Sequence, residues 1–164
     1  MHVVWKGHFR FQITVAPLKG EQFSITIDST KIEVKTGASS LFLIDGPGEY
    51  EIKNIFLQGI FASLQNTIYT IEAEGIRLCY LGNFNQKELA PNQVDRIGDV
   101  DILIMPAPAV KIISQIEPRI VIPMGEGINK FLKEIGRKSV QSQSKLLIKK
   151  KDLPEEMKII ILKP

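Results

Sequence analysis

Between residues 9 and 15, Phe9, Phe11, Ile13 and Val15 alternate with Arg10, Gln12 and Thr14. A period of two sends the two sets to opposite faces, so this segment reads as a strand with one dry face and one wet face. Residues 3–5, 23–27, 31–35 and 41–44 are likewise rich in β-branched and aromatic side chains and are separated by short polar breaks, which predicts further strands. Residues 55–60 and 67–73 continue the series, and Glu74-Gly75 reads as a tight turn that returns the chain into residues 76–81. The first half therefore has the pattern of an antiparallel sheet.

After residue 81 the pattern changes. Residues 87–97 offer Leu89, Val94 and Ile97 for burial and end at Gly98, which predicts a helix. An apolar strand at 101–105, a short helix at 110–116 stopped before Pro118, a strand at 119–123 and a helix at 128–135 closed by Gly136 follow in turn. Strands alternating with helices imply a parallel segment buried on both faces. Residues 145–148 and 157–162 read as closing strands, the second preceded by a turn at 152–155. An antiparallel half joined to a partly parallel half predicts an α/β (α+β) fold with two sheets stacked face to face and helices outside.

The chain has 164 residues, 44% of them apolar, enough for one domain spanning residues 1–164 with a single core. No apolar run reaches 18 residues and the first residues lack the pattern of a secretory signal, so the expectation is a soluble, cytoplasmic protein without a membrane partner. The single cysteine, Cys79, lies in an apolar run and reads as a small buried hydrophobe. Charge is uneven: residues 1–127 carry a net −3, whereas residues 128–164, with Lys138, Lys145 and Lys149-Lys-Lys151, carry a net +6. Nucleic acid is not the expected partner, because no aromatic residue after Phe131 is available to stack on bases.

Motifs for common chemistries are missing. There is no Gly-x-x-x-x-Gly-Lys phosphate loop and no Gly-x-Ser-x-Gly elbow. Ser39 and Ser40 have no neighbouring histidine, and the Gly46-Pro-Gly48 segment reads as an ordinary turn. What remains is a set of phrases in a fixed order: Gly7-His8, a strand ending in Asp28, Asp45-Gly-Pro-Gly-Glu-Tyr50, Asn66-Thr-Ile-Tyr69, Glu74-Gly-Ile-Arg-Leu78, Tyr80-Leu-Gly-Asn83, Gly98-Asp-Val-Asp-Ile-Leu103 and Glu117-Pro-Arg-Ile-Val-Ile-Pro123 leading to Gly125.

This ordered set, from about residue 2 to 136, resembles the metallo-β-lactamase fold superfamily. In particular it is similar to the small zinc-dependent hydrolases related to the ascorbate-6-phosphate lactonases. The resemblance implies a four-layer αββα sandwich of two mixed β-sheets, with a zinc, iron or manganese site at one end of the sheets. The family's His-x-His-x-Asp-His loop belongs between Asp28 and the Gly-Pro-Gly-Glu-Tyr turn, where this chain has no histidine. A later family histidine has no counterpart in residues 60–65. The family's bridging aspartate corresponds to Asn83, and a final histidine to Gly125.

The resemblance thus implies a degenerate member without metal ligands, and no cofactor is expected. The only histidines, His2 and His8, stand six residues apart, which at ~3.3 Å per residue is roughly 20 Å along a strand. The candidates left around a remnant pocket are His8, Asp28, Glu49, Tyr80 and Asn83. The leading reading is a non-catalytic pseudoenzyme acting as a ligand-binding or protein-interaction module for an unknown small molecule or protein, and a homo-oligomer. The alternative is a metal-independent or residual hydrolase using His8, Tyr80 and one of Asp28 or Glu49 as acid-base groups. A second alternative is nucleic-acid binding through the basic C-terminal part.

Overall fold

The computed structural model describes residues 1–137 and 140–164, and at Ser40 the backbone alone. Lys138, counted above among the basic residues, lies outside the described residues. Strands β1 (His2–Trp5), β2 (Phe11–Leu18), β3 (Glu21–Ile27), β4 (Ile32–Thr36) and β5 (Ser39–Ile44) follow one another through short turns and pair antiparallel in chain order. A second antiparallel run holds β6 (Gly48–Ile52), β7 (Ile55–Ser63), β8 (Asn66–Ala73) and β9 (Ile76–Tyr80). The turn from β8 to β9 is the foreseen Glu74-Gly75, with φ of 56° and 71° at its two residues, the conformation a two-residue hairpin needs.

The chain then alternates: α1 (Pro91–Ile97), β10 (Ile102–Pro106), α2 (Ile112–Ile116), β11 (Ile120–Met124) and α3 (Ile128–Glu134). Strands β9, β10 and β11 pair parallel. Four two-residue strands complete the chain: β12 (Ser142–Gln143), β13 (Leu146–Leu147), β14 (Lys158–Ile159) and β15 (Ile161–Leu162). Strand β13 joins the edge of the first sheet beside β1, giving the order β13-β1-β2-β3-β4-β5. Strand β14 extends the second, giving β14-β11-β10-β9-β8-β7-β6. Strands β12 and β15 pair with each other.

The two sheets face each other across one dry layer. Phe11, Ile13, Ile25 and Val34 from the first sheet meet Leu57, Ile71, Leu78 and Ile104 from the second, all at most 2% exposed. Burying such a side chain contributes about 1.5–3 kcal/mol relative to leaving it in water. The opposite face of the second sheet presents Cys79, Leu103, Met105 and Val121, and α1, α2 and α3 cover it with Ile97, Ile112 and Phe131.

The expected sandwich of two sheets is therefore present, and the three α-helices among the described residues lie on the outer side of the second sheet. The first sheet arises from hairpins too short to hold a crossover helix, and the side chains alternating with its core positions, such as Gln12, Thr14, Ser24 and Thr26, are polar.

Two boundaries differ from expectation. The helix expected over 87–97 begins at Pro91, because proline favours the first helical position and restricts the residue before it to extended backbone. The Gly46-Pro-Gly48 turn leads directly into β6, a strand that the sequence pattern does not predict. It is an edge strand whose start is fixed by contact: Gly46-Pro47 lies directly on Gly59 of β7.

That contact can be tested. A Cβ at Gly59 would lie 2.4 Å from the Gly46 carbonyl oxygen and 3.0 Å from Pro47 Cα. Gly59→Ala is expected to lower stability to denaturant by about 1–3 kcal/mol, whereas Gly46→Ala, with nothing within 4 Å, should stay within about 0.5 kcal/mol. Equal effects would contradict the contact.

At the other end of the strands, Glu74 ties the sheets together. It accepts hydrogen bonds from the Met1 amino group and, at 2.8 Å, from the Ala16 amide. Burial opposes its ionisation, but these two donors outweigh it and hold the carboxyl below its ordinary value of 4.5. A carboxylate with a depressed folded-state pKa stabilises the fold above its unfolded value, and that contribution disappears as pH falls through the folded value. Glu74→Gln should cost about 1 kcal/mol at neutral pH. The gap from the parent chain, followed by denaturation across pH, should close below pH 4.5.

Candidate functional site

A cavity of about 640 Å³ opens at the carboxyl ends of the parallel strands, beyond Pro106 of β10 and Met124 of β11. Open sheets of this kind place ligands at the carboxyl edge of their parallel strands, because the loops there leave a crevice lined by adaptable side chains. The facing wall is His8 and Phe9 from the turn between β1 and β2.

The loop from β9 to α1 supplies the remaining polar wall, with Asn83, Asn85, Gln86 and Lys87. Buried Phe84 and Leu89 anchor this loop. Gln115 of α2 clamps it by accepting the Leu89 amide at 2.8 Å and donating to the Leu89 carbonyl at 3.1 Å. An ion pair at 2.9 Å joins Lys111 to Glu88.

Three positions singled out from the sequence thus converge on one cavity: His8, Asn83 and Gly125. His8 is exposed, with a left-handed φ of 47°, and its carbonyl accepts the Trp5 indole N–H at 2.8 Å. Gly125 has a φ of 79°, and a Cβ there would point into open space.

The other candidates are engaged elsewhere. One Asp28 oxygen accepts the Thr30 amide, the Thr30 hydroxyl and the Lys31 amide at 3.0–3.1 Å. It thereby shapes the hairpin from β3 to β4 as an Asx turn. Glu49 accepts from Gln58 at 3.2 Å and lines a separate depression of about 410 Å³ with Arg77.

Tyr80 is fully buried between the sheets. Its ring meets Phe11 edge-on at 6.0 Å and its hydroxyl donates to the Phe9 carbonyl. Beside it, Tyr69 donates to the Thr30 carbonyl at 2.8 Å. Burial pushes both phenols upward, Tyr69 to about 12. The two tyrosines fill the end of the inter-sheet layer beneath the turns that carry His8 and Asp28. His2 lines a different cavity, with Met1 and Leu147. Cys79 faces the helical layer, fully buried, with its thiol pushed up to about 12 by burial; such a thiol carries almost no nucleophilic thiolate near neutrality.

A zinc, iron or manganese centre needs several His, Cys, Asp or Glu side chains meeting at one point. Among the described residues no three of these gather anywhere. The cavity offers the exposed His8, the carboxylate of Glu126 and neutral carboxamides, and a carboxamide brings no charge to a divalent ion. The residues present do not fit such a centre.

Phe84, Asn85, Gln86, Lys87 and Glu126 also line or support this cavity, although they stand in none of the ordered phrases. The signal available was their position, directly after strand ends in the parallel half. Of the basic C-terminal side chains, Lys150 pairs with Asp101 at 3.2 Å while remaining exposed. No helix among the described residues is long and apolar enough to cross a membrane.

Comparison with known proteins adds the family. The chain matches a solved structure from Thermotoga maritima described as a Zn-dependent hydrolase of the metallo-beta-lactamase superfamily. The identity is 22%, the coverage 98% of this chain and 97% of that one, and the TM-score 0.75. A second structure, described as a metal-dependent hydrolase from Parabacteroides distasonis, matches at 12% identity, with coverage of 77% and 95% and a TM-score of 0.46. No curated protein matches. The family model described as the beta-lactamase superfamily domain matches residues 13–125, which hold the core of both sheets and both strand ends at the cavity. The chain therefore belongs to the beta-lactamase superfamily.

Proposed function

We propose that this chain is a non-catalytic member of its family that has given up the metal centre and uses the cavity at the strand ends to bind a small molecule. The observation that carries the reading is the cavity's lining. His8, Asn83 and Gly125 stand on its wall, and no cluster of metal-ligating side chains gathers there among the described residues. A floor of Phe84, Pro106, Ala109 and Met124 beneath a rim of carboxamides has the make-up of a small-molecule site, apolar with a few polar groups that orient the ligand. The Thermotoga protein's description as a Zn-dependent hydrolase makes metal the test.

In this reading Tyr80 is a strut, and no acid-base pair with His8 forms. Its hydroxyl is committed to the Phe9 carbonyl, and its raised pKa, which burial causes, keeps the proton in place.

Protein purified without chelators is expected to hold far less than one zinc, iron or manganese per chain by elemental analysis; one tightly bound metal per chain would overturn the proposal. Ligand-observed NMR with a fragment library should find binders that Asn83→Trp, placed at the exposed rim, weakens. Undiminished binding to that variant would move the site elsewhere. Tyr80→Phe should lower stability by about 1–2 kcal/mol, because it leaves the Phe9 carbonyl unpaired, with fragment binding retained. A loss of binding without a loss of stability would restore a direct role for the phenol.

A further inference from the structure

We propose that Asn66, the first residue of β8, is a positioning residue for the cavity at the strand ends: it holds the segment from which the Asn83 loop departs, and ligand affinity depends on that hold. This role rests on the ligand-binding reading above. Asn66 is 5% exposed and lines no part of the cavity, so any effect on binding has to pass through the loop.

The need for Asn66 originates in Pro106. Strands β9 and β10 pair parallel, with Tyr80 beside Ile104, and the Leu81 amide donates to the Ile104 carbonyl at 3.0 Å. In a parallel ladder a residue that donates to one partner carbonyl accepts, on its own carbonyl, the N–H two residues farther along the partner strand. For Leu81 that residue is Pro106, which has no N–H. Leu81 is fully buried, and a buried carbonyl without a donor costs stability. The Asn66 side chain supplies the missing donor: its Nδ2 donates to the Leu81 carbonyl at 2.9 Å.

The other end of the carboxamide fixes the next residue. Oδ1 is buried, and among the described residues no hydrogen-bond donor reaches it. It faces Gly82, where a Cβ would lie 2.2 Å from Oδ1 and 3.3 Å from Ser29 Cα. With a φ of 63°, Gly82 turns the chain in a conformation that glycine adopts freely. Asn83 follows, and residues 83–87 line the cavity. At the far end of the same loop Gln93, 7% exposed, accepts the Ala90 amide at 3.0 Å and donates to the Phe61 carbonyl at 3.1 Å. Two buried carboxamides therefore tie the wall to the hairpin of β7 and β8, one at each end.

Such a tether matters for binding because affinity falls in proportion to the fraction of molecules whose site is in the binding arrangement. A wall loop released at Leu81 has to be ordered again by each ligand it meets. Loss of the Asn66 carboxamide therefore weakens binding beyond what its effect on overall stability accounts for, while Gln93 and Gln115 still hold the other end of the loop.

Fragments that bind the parent chain in ligand-observed NMR provide the probe. Asn66→Ala should weaken their binding by about five- to tenfold and speed hydrogen exchange of the amides of residues 83–87 by a similar factor. Gly59→Ala, which strains β7 away from the cavity, should leave both unchanged at a comparable loss of stability. Adding Pro106→Ala to Asn66→Ala restores an N–H opposite the Leu81 carbonyl and should return loop exchange toward the parent rate, which keeps the test open where Asn66→Ala alone folds poorly. Parent-like affinity and loop exchange in Asn66→Ala, equal losses in Gly59→Ala, or no recovery on adding Pro106→Ala would each overturn the proposal. A parent chain that binds no fragment would instead overturn the ligand-binding reading, and this role with it.

Discussion

Side chains from two sheets share one dry layer in this protein, and the geometry of that layer governs everything attached to it. Phe11, Ile13 and Ile25 lie across from Ile71, Leu78 and Ile104, and a layer of this kind tolerates a polar atom only where a partner is at hand. Tyr69 and Tyr80, neighbours on β8 and β9, extend their rings into it and bring their hydroxyls to the end of the layer. There the carbonyls of Thr30 and Phe9 accept them. Each hydroxyl comes from the second sheet and each carbonyl from a turn of the first, so satisfying two buried donors also locks the sheets in register. Glu74 makes the corresponding tie at the opposite end.

Closure by the tyrosines shapes the candidate site. The space between the sheets is filled, and the remaining cavity lies outside it, between the turn bearing His8 and the loops that follow β9, β10 and β11. Asp28, at the end of β3, spends its oxygen on three donors of its own turn and is not directed at the cavity. The same economy explains the loop at residues 83–90: Gln115 occupies the polar groups of Leu89, which keeps the loop from extending α1 backwards and turns its carboxamides toward the open wall.

Much of this was legible beforehand because side-chain period reports face. Alternation from Phe9 to Val15 announced a half-buried strand, and the unbroken apolar runs at Ile102–Pro106 and Ile120–Met124 announced strands covered on both sides. Strand β6 was not legible, since it starts on the Gly46-Pro-Gly48 turn and its pairing with β7 depends on Gly59, remote in sequence, leaving room for Gly46 and Pro47. The helix start at Pro91 was written in the chain as an Ala-Pro step but was outweighed by the apolar spacing of Leu89, Val94 and Ile97. Leu89 is buried all the same, which is why periodicity counted it as helical.

From the chain alone came the order of strands and helices apart from β6 and β12, the change from antiparallel to parallel pairing, the family, and three residues of the cavity wall, His8, Asn83 and Gly125. These rest on local period, on turn residues and on phrases that need no partner to be read. Tertiary structure decided which of the five candidates share a space: His8 and Asn83 do, while Asp28, Glu49 and Tyr80 are committed to a turn, a neighbouring glutamine and a buried carbonyl. It also decided that β5 ends its sheet with its leucines in water. Direction and partnership of a side chain depend on segments far away in the sequence, and only the packing of two complete sheets brings those segments together.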